Sequence, residues 1–137
     1  MKVILHIEDS PEYIEVTRIR FSKDLPLVKI ETAVNVKEGL ERLKKDKSRY
    51  SLILLDYSFG EGPDGLVFLE EFRQMKVNIP VVFLTSFDEK YIRTRAAELG
   101  VEQFMSKYDF LEMANLTDVV SGIIDNNAFP QNGAVPV

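Results

Sequence analysis

The chain has 137 residues, enough for one domain with a real hydrophobic core and no need of covalent staples. It carries 22 acidic against 17 basic residues and a net charge of −5, which argues against general affinity for nucleic acid. With no cysteine and one histidine, disulfides, thiolate nucleophiles and Cys- or His-rich metal sites are excluded.

The first apolar run, Val3-Ile4-Leu5-His6-Ile7, reads as a buried strand ending at Glu8-Asp9. It is too short to span a membrane and has no cleavage signal, so no membrane insertion and a cytoplasmic location are expected. Ser10 and Pro11 supply an N-cap and a first-turn proline. Tyr13, Ile14, Val16, Thr17, Ile19, Arg20 and Phe21 then recur at helical spacing. Residues 28–33 alternate apolar and polar, as an edge strand does. Asn35 caps a second helix with Val36, Leu40 and Leu43 as its stripe, ending in Lys44-Lys45-Asp46-Lys47. Residues 52–55 are apolar on both parities, the mark of a strand covered on both faces, and they close on Asp56.

Gly60, Gly62, Pro63 and Gly65 make a long turn. A third helix is expected over about residues 66–76, with Val67, Leu69, Phe72 and Met75 as core contacts. Pro80 opens a fourth strand that runs into Thr85, and Asp88 caps a fourth helix that stops at Gly100. The fifth strand, residues 102–106, contains Phe104 and meets Lys107. One last helix, starting near Asp109, carries Leu111, Met113, Leu116, Val119, Val120, Ile123 and Ile124. Residues 127–137 lack periodicity and read as a flexible tail after a single domain over residues 1–126, with no room for a second domain. Five β-then-α units imply an α/β fold, a parallel sheet with helices on both faces.

Ligands of such sheets bind beyond the carboxyl ends of the strands. Here four strands end on an acid pair (Glu8, Asp9), an acid (Asp56), a hydroxyl (Thr85) and an amine (Lys107). Each has a plain structural explanation on its own: a solvated turn, a turn cap, a strand-end hydroxyl, a surface lysine. Their joint occurrence points to one phosphoryl and divalent-metal site. A carboxylate can take a phosphoryl group directly as an acyl phosphate, and the transfer needs charge neutralisation more than acid–base chemistry. Three converging carboxylates repel one another, and a divalent cation is the simplest compensation. Mg²⁺ would suit Asp9, Asp56 and a carbonyl just after Asp56.

On these residues the chain resembles the receiver domain of two-component response regulators, over about residues 2–126. The resemblance implies a flavodoxin-like doubly wound sheet of five strands in the order 2-1-3-4-5. It implies Asp56 as phospho-acceptor, Asp9 as direct ligand of Mg²⁺ (or Mn²⁺), Glu8 as the second acid acting through water, and the Ser58 carbonyl on the metal. Thr85 would bond the attached phosphoryl group, Lys107 would pair with it, and Phe104 would be the aromatic that reorients. The partners implied are a sensor histidine kinase or phosphotransfer protein and an unidentified downstream protein; whether activation drives dimerisation is left open. Such a switch catalyses its own phosphorylation and slow hydrolysis but turns over no separate substrate. The chain departs from the family in three places. Glu8 stands for an aspartate, Tyr108 for the proline after the lysine, and the 57–64 segment is one residue longer and lacks the early proline.

Two other classes use the same features. A haloacid dehalogenase-type phosphatase needs a second acid two residues after its nucleophile, where this chain has Ser58. A pseudo-receiver keeps the fold as an interaction module and is never phosphorylated; Glu8 and Tyr108 are the features that favour it. Of the remaining residues, His6 reads as a core or flank histidine, and Phe87 and Tyr91 as helix-start packing or partner-binding aromatics. Arg93 and Arg95 read as a solvated helix face.

Overall fold

The computed structural model describes residues 1–87 and 89–126. Its elements are β1 (Lys2–Ile7), α1 (Pro11–Asp24), β2 (Val28–Ala33), α2 (Val36–Lys45), β3 (Leu52–Asp56) and α3 (Gly65–Gln74), followed by β4 (Val81–Thr85), α4 (Lys90–Glu98), β5 (Gln103–Ser106), α5 (Phe110–Ala114) and α6 (Leu116–Asn126). The strands pair in parallel in the order β2-β1-β3-β4-β5. The parallel sheet is the one expected from the alternation of elements, and its order is the flavodoxin-like, doubly wound one that the resemblance implied.

Side-chain alternation on each strand divides the core into two layers. Leu5, Ile7, Ile53, Leu55, Val81 and Phe83 pack with Leu40, Leu43, Phe68, Leu69 and Phe72 on the α2–α3 side. Ile4, Leu52, Leu54, Val82 and Leu84 pack with Phe21, Leu116, Val120 and Ile124 on the α1–α6 side. Every residue of β3 and β4 is buried, as a continuously apolar run requires. A fully buried Leu or Phe contributes roughly 1.5–3 kcal/mol, so the two layers supply the main driving force. The site-bearing ends of the strands are thereby held rigid.

The caps expected at Ser10 and Asn35 form, whereas Glu89 before α4 makes no side-chain capping bond. Ser10 Oγ accepts the Tyr13 N–H at 3.2 Å and Asn35 Oδ1 accepts the Glu38 N–H at 2.8 Å. Gly100 ends the turn after α4 at φ 81°, where a side chain would be strained. Asp88, the expected cap of α4, lies outside the described residues, as does the 127–137 tail.

Two helices differ from expectation. In α3 the buried stripe is Gly65, Leu66, Phe68, Leu69 and Phe72, with Val67 only half-buried. The helix starts one residue early because Gly65 tucks beneath the end of β3, its N–H bonded to the Tyr57 carbonyl at 2.7 Å. It ends at Gln74, and Lys76 at φ 57° turns the chain out of helical geometry. The single last helix is in fact two, separated at Asn115. Arg20 of α1 donates to the carbonyls of Met113 and Ala114, satisfying acceptors that a continuous helix would have used itself. On the short α5, Leu111 is 79% exposed and makes no core contact of the kind its spacing suggested.

Candidate functional site

At the carboxyl edge of the sheet, the ends of β1, β3 and β5 converge. Asp56 closes β3 at 6% exposure and Glu8 follows β1 at 1%. Carboxylate oxygens of Glu8, Asp9 and Asp56 all lie within 4.8 Å of one another, Asp9 being the exposed member. Lys107, just after β5, reaches into this group, with Nζ 2.8 Å from Glu8 Oε1 and 2.8 Å from Asp56 Oδ1. Its side chain is only 11% exposed, so this lysine is a buried partner of the acids and no surface residue.

Lys107 is the cation that meets both buried carboxylates, and burial is the main influence on their protonation. Burial pushes the Asp56 carboxyl above its usual range, with Lys107 opposing. Burial and then the neighbouring Asp56 push Glu8 up as well, again against Lys107. For Lys107, burial works to lower the ammonium pKa, but the combined attraction of Asp56 and Glu8 outweighs it and raises it. Glu8 is fixed a second time by the Ser10 N–H, which donates to Oε2 at 3.2 Å.

The backbone leaves room for this cluster because residue 65 is glycine. A Cβ there would stand 2.6 Å from the Asp56 carbonyl oxygen and 3.1 Å from Tyr57 Cα. Asp64 starts α3 by accepting the N–H groups of Leu66 and Val67 at 2.9 and 3.1 Å. The 57–64 loop is anchored midway by Phe59, which is 7% exposed in the α2–α3 layer. Ser58 sits half-buried beside it, two residues from Asp56. The described residues contain no cis peptide bond, so the Lys107–Tyr108 bond is trans.

This arrangement has a family. A model of the response regulator receiver domain matches residues 4–120. The chain belongs to the response regulator receiver family. Among relatives of this receiver is the alkaline phosphatase synthesis transcriptional regulatory protein PhoP of Bacillus subtilis, 28% identical over 106 residues, 77% of this chain and 42% of that protein. The transcriptional activator protein IrlR of Burkholderia pseudomallei is 35% identical over 80 residues, 57% of this chain and 34% of that protein. The receiver thus spans less than half the length of these curated relatives. Among solved structures, the phosphorylated cyanobacterial phytochrome response regulator RcpA superposes with TM-score 0.74 at 25% identity, covering 89% of this chain and 90% of that one. The receiver domain of a Francisella response regulator gives TM-score 0.79 at 19% identity, covering 93% of this chain and 99% of that one. No helix among the receiver's described residues is long and apolar enough to cross a membrane.

Beyond the acids and Lys107, the receiver places Thr85 and Phe104 on adjacent strands, β4 and β5. Thr85 is fully buried and its Oγ1 accepts the Phe87 N–H at 2.8 Å. Phe104 is half-buried and stacked on Phe83, ring centroids 5.5 Å apart at 13°. The Arg93 guanidinium covers its other face, 4.3 Å from the centroid. Arg93 is exposed, as expected of a solvated helix face, and from there its guanidinium also lies over Phe104. Arg95 faces outward too, paired with Glu70 at 3.1 Å and Glu98 at 3.3 Å. Phe87 packs edge-on against Tyr57 at 5.8 Å and is 47% exposed, and Tyr91 is 70% exposed. Sequence reasoning missed Tyr13, whose ring lies 4.0 Å from Lys107 Nζ. Its helical spacing marked it only as one of several residues on α1.

Proposed function

We propose that this receiver accepts a phosphoryl group on Asp56 from a phosphohistidine of a sensor histidine kinase or phosphotransfer protein and thereby switches its binding to a downstream protein. The observation that carries the reading is Lys107 Nζ 2.8 Å from Asp56 Oδ1 at the end of a fully buried strand, with Glu8 and Asp9 beside it. An Asp56 carboxylate oxygen would attack phosphorus as the phosphorus–nitrogen bond breaks, leaving an acyl phosphate and a free imidazole on the donor. Water would later cleave the acyl phosphate, releasing inorganic phosphate and restoring the carboxylate. That the phosphorylated RcpA shares 25% identity over most of its length supports the assignment.

The donor set is all oxygen, the preference of Mg²⁺ or Mn²⁺ over softer metals. Asp9, Asp56 and the Ser58 carbonyl would hold the ion, with Glu8 acting through water. When bound, the ion neutralises charge on the transferring phosphoryl oxygens. Glu8 is already committed on both oxygens, to Lys107 and to the Ser10 N–H, which suits an indirect role. Lys107 supplies the fixed protein cation that an attached phosphoryl group would meet.

Thr85 Oγ1 is occupied by the Phe87 N–H in this conformation. A phosphoryl group, carrying about −1.5 to −2 charge, would compete for that hydroxyl. Thr85 leaving Phe87 would loosen the start of α4 and the Phe83–Phe104–Arg93 stack behind it. The face built from α4, β5, α5 and α6 is then the surface a downstream protein reads. The setting of such chemistry is the cytoplasm.

The test is mass spectrometry after incubation with acetyl phosphate and Mg²⁺. A single phosphoryl adduct on wild type, absent from Asp56→Asn, supports the receiver. Continuous phosphate release without an adduct points to a phosphatase, and neither outcome to a pseudo-receiver that works without phosphorylation.

A further inference from the structure

The Lys107 ammonium has three N–H groups. Two of them have acceptors, Glu8 Oε1 and Asp56 Oδ1, each at 2.8 Å. The remaining side of the ammonium is closed by the face of Tyr13, 4.0 Å from Nζ to the ring centroid. With the lysine side chain 11% exposed, solvent has little access to that third N–H, so the ring is its partner. A cation over an aromatic face gains most where water is excluded.

Tyr13 is itself held by the group it serves. Glu8 Oε2 accepts the Ser10 N–H at 3.2 Å, and Ser10 Oγ accepts the Tyr13 N–H at 3.2 Å. Glu8, Ser10, Tyr13 and Lys107 therefore form a closed circuit around the start of α1. At the far edge of the ring, the Tyr13 hydroxyl meets Met113 Sδ at 3.5 Å on α5. Arg20, two turns along α1, grips the carbonyls that end the same short helix.

We propose that Tyr13 is a positioning residue for Asp56 phosphorylation, its ring face holding the Lys107 ammonium beside the reacting carboxylate. This rests on the reading of Asp56 as the acceptor. When a phosphoryl group arrives, the Asp56 bond is the one Lys107 must remake. Glu8 and the ring stay behind as its fixed supports, so the ammonium swings by a small angle and arrives oriented. The hydroxyl tie to Met113 passes any shift of the ring to α5.

The experiment follows labelling by acetyl phosphate with Mg²⁺ in the full chain. Tyr13→Leu is expected to slow labelling about tenfold, which is about 1.4 kcal/mol; Tyr13→Met, also without a ring, is expected to do the same if the leucine variant folds poorly. Tyr13→Phe keeps the ring face and should stay within about twofold of wild type. In a Lys107→Ala background, Tyr13→Leu should add no further loss, because the ring acts only through the ammonium. A spectroscopic readout stands apart from rate: the Lys107 Hε and Nζ resonances should be ring-current shifted in wild type and Tyr13→Phe and lose that shift in Tyr13→Leu. Equal labelling of wild type and both ringless variants overturns the proposal and leaves Asp56 as acceptor intact. A loss that persists undiminished in the Lys107→Ala background overturns it too, marking Tyr13 as ordinary packing. Failure of wild type to label at all overturns both readings.

Discussion

His6 makes acid a selective perturbation of this fold. Its imidazole sits mid-strand on β1, 1% exposed, and neither ring nitrogen has a hydrogen-bond partner. Burial lowers its pKa first, and the cations of Lys107 and Arg18 lower it further, from 6.5 to about 3. A depressed histidine pKa means that the unfolded chain binds the proton more readily than the folded one. Its contribution to stability is therefore complete above pH 6.5 and is lost as pH falls through the window down to about 3. Linkage puts the loss at roughly 2 kcal/mol between pH 8 and pH 5, approaching roughly 5 kcal/mol below pH 3. Glu8 and Asp56, shifted upward, change stability in the opposite sense as pH falls, so the wild-type curve alone does not isolate the histidine. His6→Leu does. It strands no hydrogen-bond partner, and at pH 8 it should be no less stable than wild type. Urea denaturation at pH 8 and pH 5 should then give a difference of roughly 2 kcal/mol between the two proteins in their acid-induced loss. As the only histidine in the chain, its ring resonances can be followed without assignment, and they should stay those of neutral imidazole at pH 5. A folded-state titration near 6.5, or equal acid losses in both proteins, would refute this account of His6.

Other outcomes follow from the same geometry. Asp56→Asn should raise stability by roughly 1 kcal/mol at pH 7, since it removes one of three crowded carboxylates; a lowered urea midpoint contradicts this. Mg²⁺ should raise the melting temperature by mass action, and Asp9→Ala should remove most of the gain while Glu8→Asp changes it little; an unchanged shift in Asp9→Ala sinks the ligand assignment. Thr85→Ala and Phe104→Ala should both still be labelled by a small phosphodonor, yet blunt the amide shifts of α4 that beryllofluoride induces in wild type. If wild-type shifts stay within the loops around Asp56, the Thr85–Phe104 link is wrong. Gly65→Ala should cost roughly 1–3 kcal/mol by driving a Cβ into the Asp56 carbonyl, read as a drop in urea midpoint with little change in slope.

The strands themselves were legible in the sequence because they depend on local pattern, while their order was implied by the family resemblance. Both-parity apolar runs such as residues 52–55 and 81–84 read as strands covered on both faces, and both are buried throughout. Once the sheet is parallel and its crossovers right-handed, Glu8, Asp9, Asp56 and Lys107 must gather at one edge, and they do. The distances among them were not in the sequence. Nor was the position of Tyr13 over Lys107, because 94 residues of chain separate them and only the seating of α1 against α5 brings them together. The same holds for Arg93 over Phe104. The break at Asn115 was hidden for a related reason: apolar spacing across it is continuous, and the helix divides where Arg20 takes its carbonyls from outside. Periodicity reports what each segment does with its own backbone and its own faces. Which cation meets which ring, and which helix gives up its hydrogen bonds to a neighbour, is decided only when the layers close on the sheet and exclude water from the contacts between them.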